Sequence, residues 1–132
     1  MHLKSKSKKS RSIHFVSLGC ARNRVDSEVM LGALQEKNWV IASDPKTCDV
    51  IVINTCGFIQ AAKEESIETI LECAQYKETN PELKVVVAGC LTQRYKSQLA
   101  TGLPEVDLFI GTDQFPKIGE LLEQEVPKGT VF

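Results

Sequence analysis

The chain has 132 residues, enough for one domain that buries roughly two-thirds of its unfolded surface without disulfide or metal staples. Its 16 Lys and Arg against 17 Asp and Glu give a net charge of −1, but residues 1–12 hold five of the basic residues and none of the acidic ones, so the remainder carries −6. That remainder is no general nucleic-acid binder by charge; one Trp, two Tyr and five Phe are too few and too scattered for a base-stacking platform, and no apolar run approaches the roughly 20 residues of a membrane helix or follows the charged start as in a secretory signal.

The opening Lys/Ser segment, residues 1–12, lacks the apolar content to fold and is expected to be a disordered basic tail, either a solubilising leader or a weak contact to RNA or a ribosomal surface. The first strand runs from Ile13 to about Leu18. A helix is expected over residues 23–37, with Asn23 as its cap and Val25, Val29, Met30, Ala33 and Leu34 as its apolar face. Residues 39–42 read as a short second strand, and Asp44-Pro45-Lys46 breaks the chain. Residues 50–53 are apolar without alternation, as in a strand covered on both faces of a parallel sheet. A second helix follows over residues 60–77, with Ile67, Ile70, Leu71 and Ala74 on one face and Lys63, Glu64, Glu65, Glu68 and Glu72 largely on the other, and Asn80-Pro81 ends it. Next come a strand over 84–88, a helix over 93–99, a turn through Gly102-Leu103-Pro104, a strand over 106–110 and a last helix over 115–123. Strands alternating with helices imply an α/β three-layer sandwich with a mostly parallel sheet, Rossmann- or flavodoxin-like. Residues 13–124 form this domain, and residues 125–132 read as the start of a linker.

Three of the five cysteines directly follow a predicted strand: Cys20, Cys56 and Cys90, at intervals of 36 and 34 residues, each about one βαβ unit. Parallel strands converge their carboxyl ends on one sheet edge, where ligands bind, so three thiols can meet there. Each has a glycine neighbour, in Gly19-Cys20, Cys56-Gly57 and Gly89-Cys90, which lets backbone approach a bulky ligand. Read singly, each is an ordinary buried thiol; read together they suit metal or cluster binding, with core or simple redox thiols as the other reading. No Cys-x-x-Cys pair occurs, which removes the main support for zinc-ribbon and thioredoxin-type sites. Three thiolates without a fourth fit an iron–sulfur cubane with one open iron. Cys48 precedes its strand and Cys73 lies in a helix; both are expected to be core filler, apart from each other and from the site. His2 is in the tail and His14 within the first strand, which leaves a catalytic Cys-His pair weak, and no Gly-x-Gly-x-x-Gly or Walker-type run follows any strand. Asn23, Asp26, Asn54, Thr55 and Gln93 lie near the cysteine turns, as caps and turn formers or as hydrogen-bond partners of a bound group.

Leu18-Gly19-Cys20-Ala21-Arg22-Asn23-Arg24-Val25-Asp26-Ser27-Glu28, then Asn54-Thr55-Cys56-Gly57-Phe58-Ile59 with Ala62-Lys63-Glu64-Glu65-Ser66-Ile67, then Gly89-Cys90-Leu91-Thr92-Gln93-Arg94-Tyr95 resemble the N-terminal domain of the radical S-adenosylmethionine methylthiotransferases over residues 13–122. The tRNA-modifying members typically read Gly-Cys-Gln-Met-Asn and Asn-Thr-Cys-Ser-Val-Arg at the first two motifs. Gly-Cys-Ala-Arg-Asn and Asn-Thr-Cys-Gly-Phe-Ile here, with Gln93-Arg94-Tyr95 and Pro104-Glu105-Val106-Asp107, are closer to the RimO-type, protein-modifying branch. That branch methylthiolates the β-carbon of an aspartate in the twelfth protein of the small ribosomal subunit.

The resemblance implies that Cys20, Cys56 and Cys90 hold an auxiliary 4Fe-4S cluster whose open iron presents or relays the sulfur to be inserted. The family's second 4Fe-4S cluster, which with S-adenosylmethionine starts the radical step, needs a Cys-x-x-x-Cys-x-x-Cys run that this sequence lacks. The implied partners are a radical S-adenosylmethionine domain in cis and the ribosomal protein, in the cytoplasm and without a membrane. By itself the chain is expected to bind a cluster and to catalyse nothing. The competing functions are a tRNA adenosine methylthiotransferase domain, a non-enzymatic cluster or sulfur carrier, and a zinc-binding module.

Overall fold

The computed structural model describes residues 11–18, 21–55, 60–89, 102–124 and 127–132, with the side chains of 21–24 and 60–63 outside the description. Its strands are β1 (Ser12–Ser17), β2 (Val40–Ile41), β3 (Val50–Thr55), β4 (Lys84–Gly89), β5 (Leu108–Ile110) and β6 (Thr130–Val131). The helices are α1 (Ala21–Glu36), α2 (Gln60–Ala74), which tightens into a 3-10 turn over Gln75–Glu78, and α3 (Ile118–Leu121), entered through a 3-10 turn over Thr112–Lys117.

All six strands are parallel, in the order β2-β1-β3-β4-β5-β6. This is the flavodoxin-like doubly wound order with one strand added, and the direction of winding reverses between β1 and β3. The apolar run of β3 supplies both faces at once. Val50 and Val52 join Met30, Leu34, Phe115 and Ile118 beneath α1 and α3, whereas Ile51 and Ile53 join Ile70, Leu83 and Phe109 beneath α2. β4 repeats the split, with Val86 and Ala88 on the first face and Val85 and Val87 on the second. Period-two alternation between two buried faces is what a covered parallel strand requires, and it yields the three-layer α/β sandwich.

Local chemistry sets the ends. α1 closes on Asn38, whose φ of 69° takes the left-handed position that asparagine tolerates. The Asn38 N–H donates to the Gln35 carbonyl and the Trp39 N–H to the Leu34 carbonyl, the paired bonds of a Schellman cap. Pro116, which has no N–H, lies within the 3-10 turn, so the helix expected over 115–123 is α-helical only from Ile118.

Several sequence expectations change. Val25 and Val29 are exposed, and Ser27 is buried in their place beside Met30 and Leu34; Leu71 of α2 is likewise exposed. Thr130–Val131, in the segment read as a linker, pair with β5 as a sixth strand, and the Phe132 N–H donates to the Phe109 carbonyl. Arg11 and Ser12, counted with the tail, belong to the fold: the Arg11 guanidinium stacks 4.5 Å from the Trp39 ring and pairs with Glu123 at 3.1 Å, and Ser12 starts β1. The helix expected over 93–99 and residues 1–10 lie outside the described residues.

Candidate functional site

β1, β3 and β4 are consecutive neighbours in the sheet, and their registers bring their carboxyl ends level. Ser17 stands opposite Asn54, and Thr55 opposite Gly89. The Leu18 N–H donates to the Asn54 carbonyl at 3.0 Å and extends the β1–β3 pairing one residue further. In the sequence, Cys20 comes two residues after Leu18, Cys56 one after Thr55 and Cys90 one after Gly89. The three strands that precede these cysteines therefore end side by side on one edge, across the β1/β3 reversal point. Cys20, Cys56, Cys90 and Gln93 themselves lie outside the described residues, as does the side chain of Asn23. Asp26 lies on α1, half-buried.

The apolar sheet turns polar at this edge. Asn54 and Thr55 are fully buried, and Ser27 is nearly so. By the alternation of β3, Asn54 faces α1, where its Nδ2 donates to Ser27 Oγ at 2.9 Å; Ser27 Oγ in turn donates to Ser17 Oγ at 2.9 Å. Thr55 Oγ1 donates to the Ala88 carbonyl at 2.7 Å and ties β3 to β4. Gly89 has φ +107°, and a Cβ there would lie 2.6 Å from Asn54 Oδ1, 2.6 Å from the Thr55 carbonyl oxygen and 2.9 Å from the Thr55 nitrogen. Glycine is thus required on two grounds, backbone conformation and close approach. Ser17 and Ser27 are not singled out by the sequence pattern.

Cys48 and Cys73 are buried in one cluster on the α2 face and carry free thiols. They are not apart from each other as expected: a Cys48 thiolate would repel one at Cys73. α2 returns towards the amino edge of the sheet, which brings its last turn to the start of β3. Burial pushes the Cys73 thiol up to about 11, with Glu72 and Cys48 adding to the rise. The Cys48 thiol is raised, chiefly by burial, and donates to the Pro45 carbonyl at 3.3 Å. Cys48 precedes β3, so a strand length of roughly 20 Å separates it from Thr55 at the carboxyl end of that strand. Among the described residues, no three His, Cys, Asp or Glu side chains converge to hold a metal ion, and no helix is long and apolar enough to cross a membrane.

Residues 12–111 match the model of uncharacterized protein family UPF0004. The chain belongs to that family. It is also similar to proteins named ribosomal protein uS12 methylthiotransferase RimO. That of Bdellovibrio bacteriovorus is 45% identical over 92% of this chain and 26% of the relative. For Syntrophotalea carbinolica the values are 50%, 90% and 26%, and for Sorangium cellulosum 52%, 86% and 23%. The chain therefore spans about a quarter of the length of the curated relatives it matches.

Proposed function

We propose that this chain is the N-terminal domain of a ribosomal protein uS12 methylthiotransferase, and that its carboxyl sheet edge holds an auxiliary 4Fe-4S cluster on Cys20, Cys56 and Cys90. The observation that carries this reading is the adjacency of β1, β3 and β4, whose level ends each lead directly into one of these cysteines in the sequence. Relatives at 45–52% identity bear the name of that activity.

The residues present fit the group. Neighbouring strands are about 4.8 Å apart, so three consecutive strand ends span roughly 10 Å, within reach of three side chains converging on one centre. Thiolates are the soft ligands that iron–sulfur clusters prefer, and the φ of Gly89 lets the chain turn where a side chain would strike β3. When bound, such a cluster offers an iron with an exchangeable position at which sulfur can be held for transfer. The protein's share is to keep three thiols at one edge, to leave the other two cysteines protonated and remote, and to close the sheet beneath the site with apolar side chains. The radical step, for which the sequence has no second three-cysteine run, is assigned to another part of the full enzyme, which acts on the ribosomal protein in the cytoplasm. The basic residues before Arg11 are read as a solubilising leader, with weak ribosomal RNA contact as its testable alternative.

The test is anaerobic purification and reconstitution of the chain with iron and sulfide. Iron and sulfide in near-equal amounts, one cluster per chain, lost in Cys20→Ala, Cys56→Ala or Cys90→Ala but kept in Cys48→Ala and Cys73→Ala, is the expected result. Zinc alone, or loss of the cluster in Cys48→Ala, overturns the assignment.

A further inference from the structure

Asn54 is the point at which all three cysteine-bearing segments are tied together. Its backbone carbonyl accepts from the Leu18 N–H at 3.0 Å, and its side-chain Nδ2 donates to Ser27 on α1 at 2.9 Å. Leu18 and α1 are the two described flanks of the short stretch that contains Cys20, so both flanks are bonded to one residue. Asn54 is also two positions before Cys56. Its Oδ1 lies 2.6 Å from where a Cβ of Gly89 would fall, and Gly89 is one position before Cys90. Ser27 Oγ completes the arrangement by donating to Ser17 Oγ at the end of β1.

An asparagine and a serine buried in an otherwise apolar α/β interface are costly unless hydrogen-bonded. A valine and an alanine would fill the same space without that requirement. What the polar residues add is direction, because two hydrogen bonds of defined geometry fix α1 along the sheet edge, one to β3 through Asn54 and one to β1 through Ser17, where apolar contact would allow sliding. We propose that Ser27 and Asn54, with Ser17, are positioning residues that set the relative placement of the three thiols. This inference rests on the reading of Cys20, Cys56 and Cys90 as one ligand set.

The test uses Cd2+ on the apo chain under reducing conditions, with thiolate-to-metal charge-transfer absorption reporting the number of thiolates bound and the titration giving the affinity. Wild type is expected to bind one Cd2+ through three thiolates, and the signal to fall by one thiolate in each of Cys20→Ala, Cys56→Ala and Cys90→Ala. Ser27→Ala is expected to weaken Cd2+ binding by about 10- to 100-fold, the range seen when groups that orient metal ligands are removed, and Ser27→Thr, which keeps the hydroxyl, to restore it. Ile70→Val on the opposite face, which only loosens the core, is expected to lower the melting temperature and leave Cd2+ affinity unchanged. If Ser27→Ala does not fold, Ser17→Ala removes one bond of the chain at an exposed position and is expected to weaken binding in the same direction.

Cd2+ affinity in Ser27→Ala or Ser17→Ala within threefold of wild type, or an equal loss in Ile70→Val, overturns the positioning role while leaving the ligand set intact. Failure of wild type to bind Cd2+ through three thiolates overturns the ligand set and the positioning role together, and is recognised because it appears before any serine is changed.

Discussion

Replacing Gly89 by alanine tests whether the carboxyl edge is as tightly built as its contacts imply. Two separate penalties apply. At φ +107° an L-residue is strained, which costs about 1–3 kcal/mol. The new Cβ would also meet the Thr55 carbonyl oxygen at 2.6 Å and the Thr55 nitrogen at 2.9 Å. Those are backbone atoms of a central strand and cannot rotate away, so overpacking adds about 1–3 kcal/mol. Together they amount to roughly 2–6 kcal/mol out of the 5–15 kcal/mol typical of a whole domain, a melting-temperature drop on the order of 7–20 °C at this chain length. Two other glycines separate the penalties. Gly129 has φ +87° with nothing within 4 Å of its would-be Cβ, so Gly129→Ala is expected to cost only the strain, about 1–2 kcal/mol. Gly32, exposed in α1 with nothing within 4 Å, is expected to gain about 0.5–1 kcal/mol as alanine. Urea unfolding of the three variants measures each value. A Gly89→Ala cost no larger than that of Gly129→Ala would show that β3 and β4 can part at their ends, and would refute the tight edge.

Other consequences are open to measurement. Asp107 accepts from the Lys77 ammonium at 2.6 Å and from the Val85 N–H at 2.8 Å with the same oxygen, so Asp107→Ala is expected to cost about 2–3 kcal/mol and Lys77→Met, which leaves the Val85 bond, about 1 kcal/mol or less; equal costs in urea unfolding would refute the primacy of the backbone bond. The Cys73 thiol is raised from 9.0 to about 11, first by burial, so the folded state favours the protonated form. Its contribution is complete below pH 9 and disappears as pH rises towards 11; wild type is expected to lose stability across that window relative to Cys73→Ala, and parallel pH profiles would refute the shift. Arg11→Ala removes an exposed stack on Trp39 and an exposed ion pair with Glu123, a loss of about 1 kcal/mol at most, and deletion of residues 1–10 is expected to leave the melting temperature unchanged. A steeply salt-dependent loss of ribosome affinity on that deletion would favour the RNA-contact reading of the tail.

The sheet was legible because β3 and β4 carry apolar runs without alternation, Val50 to Ile53 and Val85 to Ala88, a pattern few other environments produce, and because Asn-Pro and Asp-Pro breaks separate the units. The facing of the helices was less so. Val25 and Val29 of α1 suggested an apolar stripe, yet the helix turns Ser27 inward to meet Asn54, a choice made by a polar partner 27 positions away that periodicity cannot register. β6 escaped notice because a two-residue strand is specified by the open edge of β5 rather than by propensity. The sharing of one buried cluster by Cys48 and Cys73 followed from α2 running back along the sheet, a relation of topology rather than of spacing. For the candidate site, the three cysteines stood out by their repeated place after strands, whereas the hydrogen bonds that join the strand ends left no mark in the sequence beyond the presence of small polar residues.

The distribution of buried polar groups distinguishes the two edges of the sheet. Among the described residues the buried polar side chains are Ser27, Asn54, Thr55 and Ser66, and three of these four belong to the network beneath the ends of β1, β3 and β4. β3 is apolar from Val50 to Ile53 and changes character only in its last two residues. A sheet built for stability alone would continue the apolar run, since matched apolar replacements of a hydrogen-bonded pair are commonly neutral or stabilising. Parallel sheets tolerate such a change where the strands end, because the ladder no longer needs both faces covered by aliphatic packing there. The polar residues thus occupy the edge at which doubly wound folds place their ligands, and what they supply is fixed geometry rather than stability: α1 is held to β3, β3 to β4, and β1 to α1 at the point where each strand hands the chain to a cysteine.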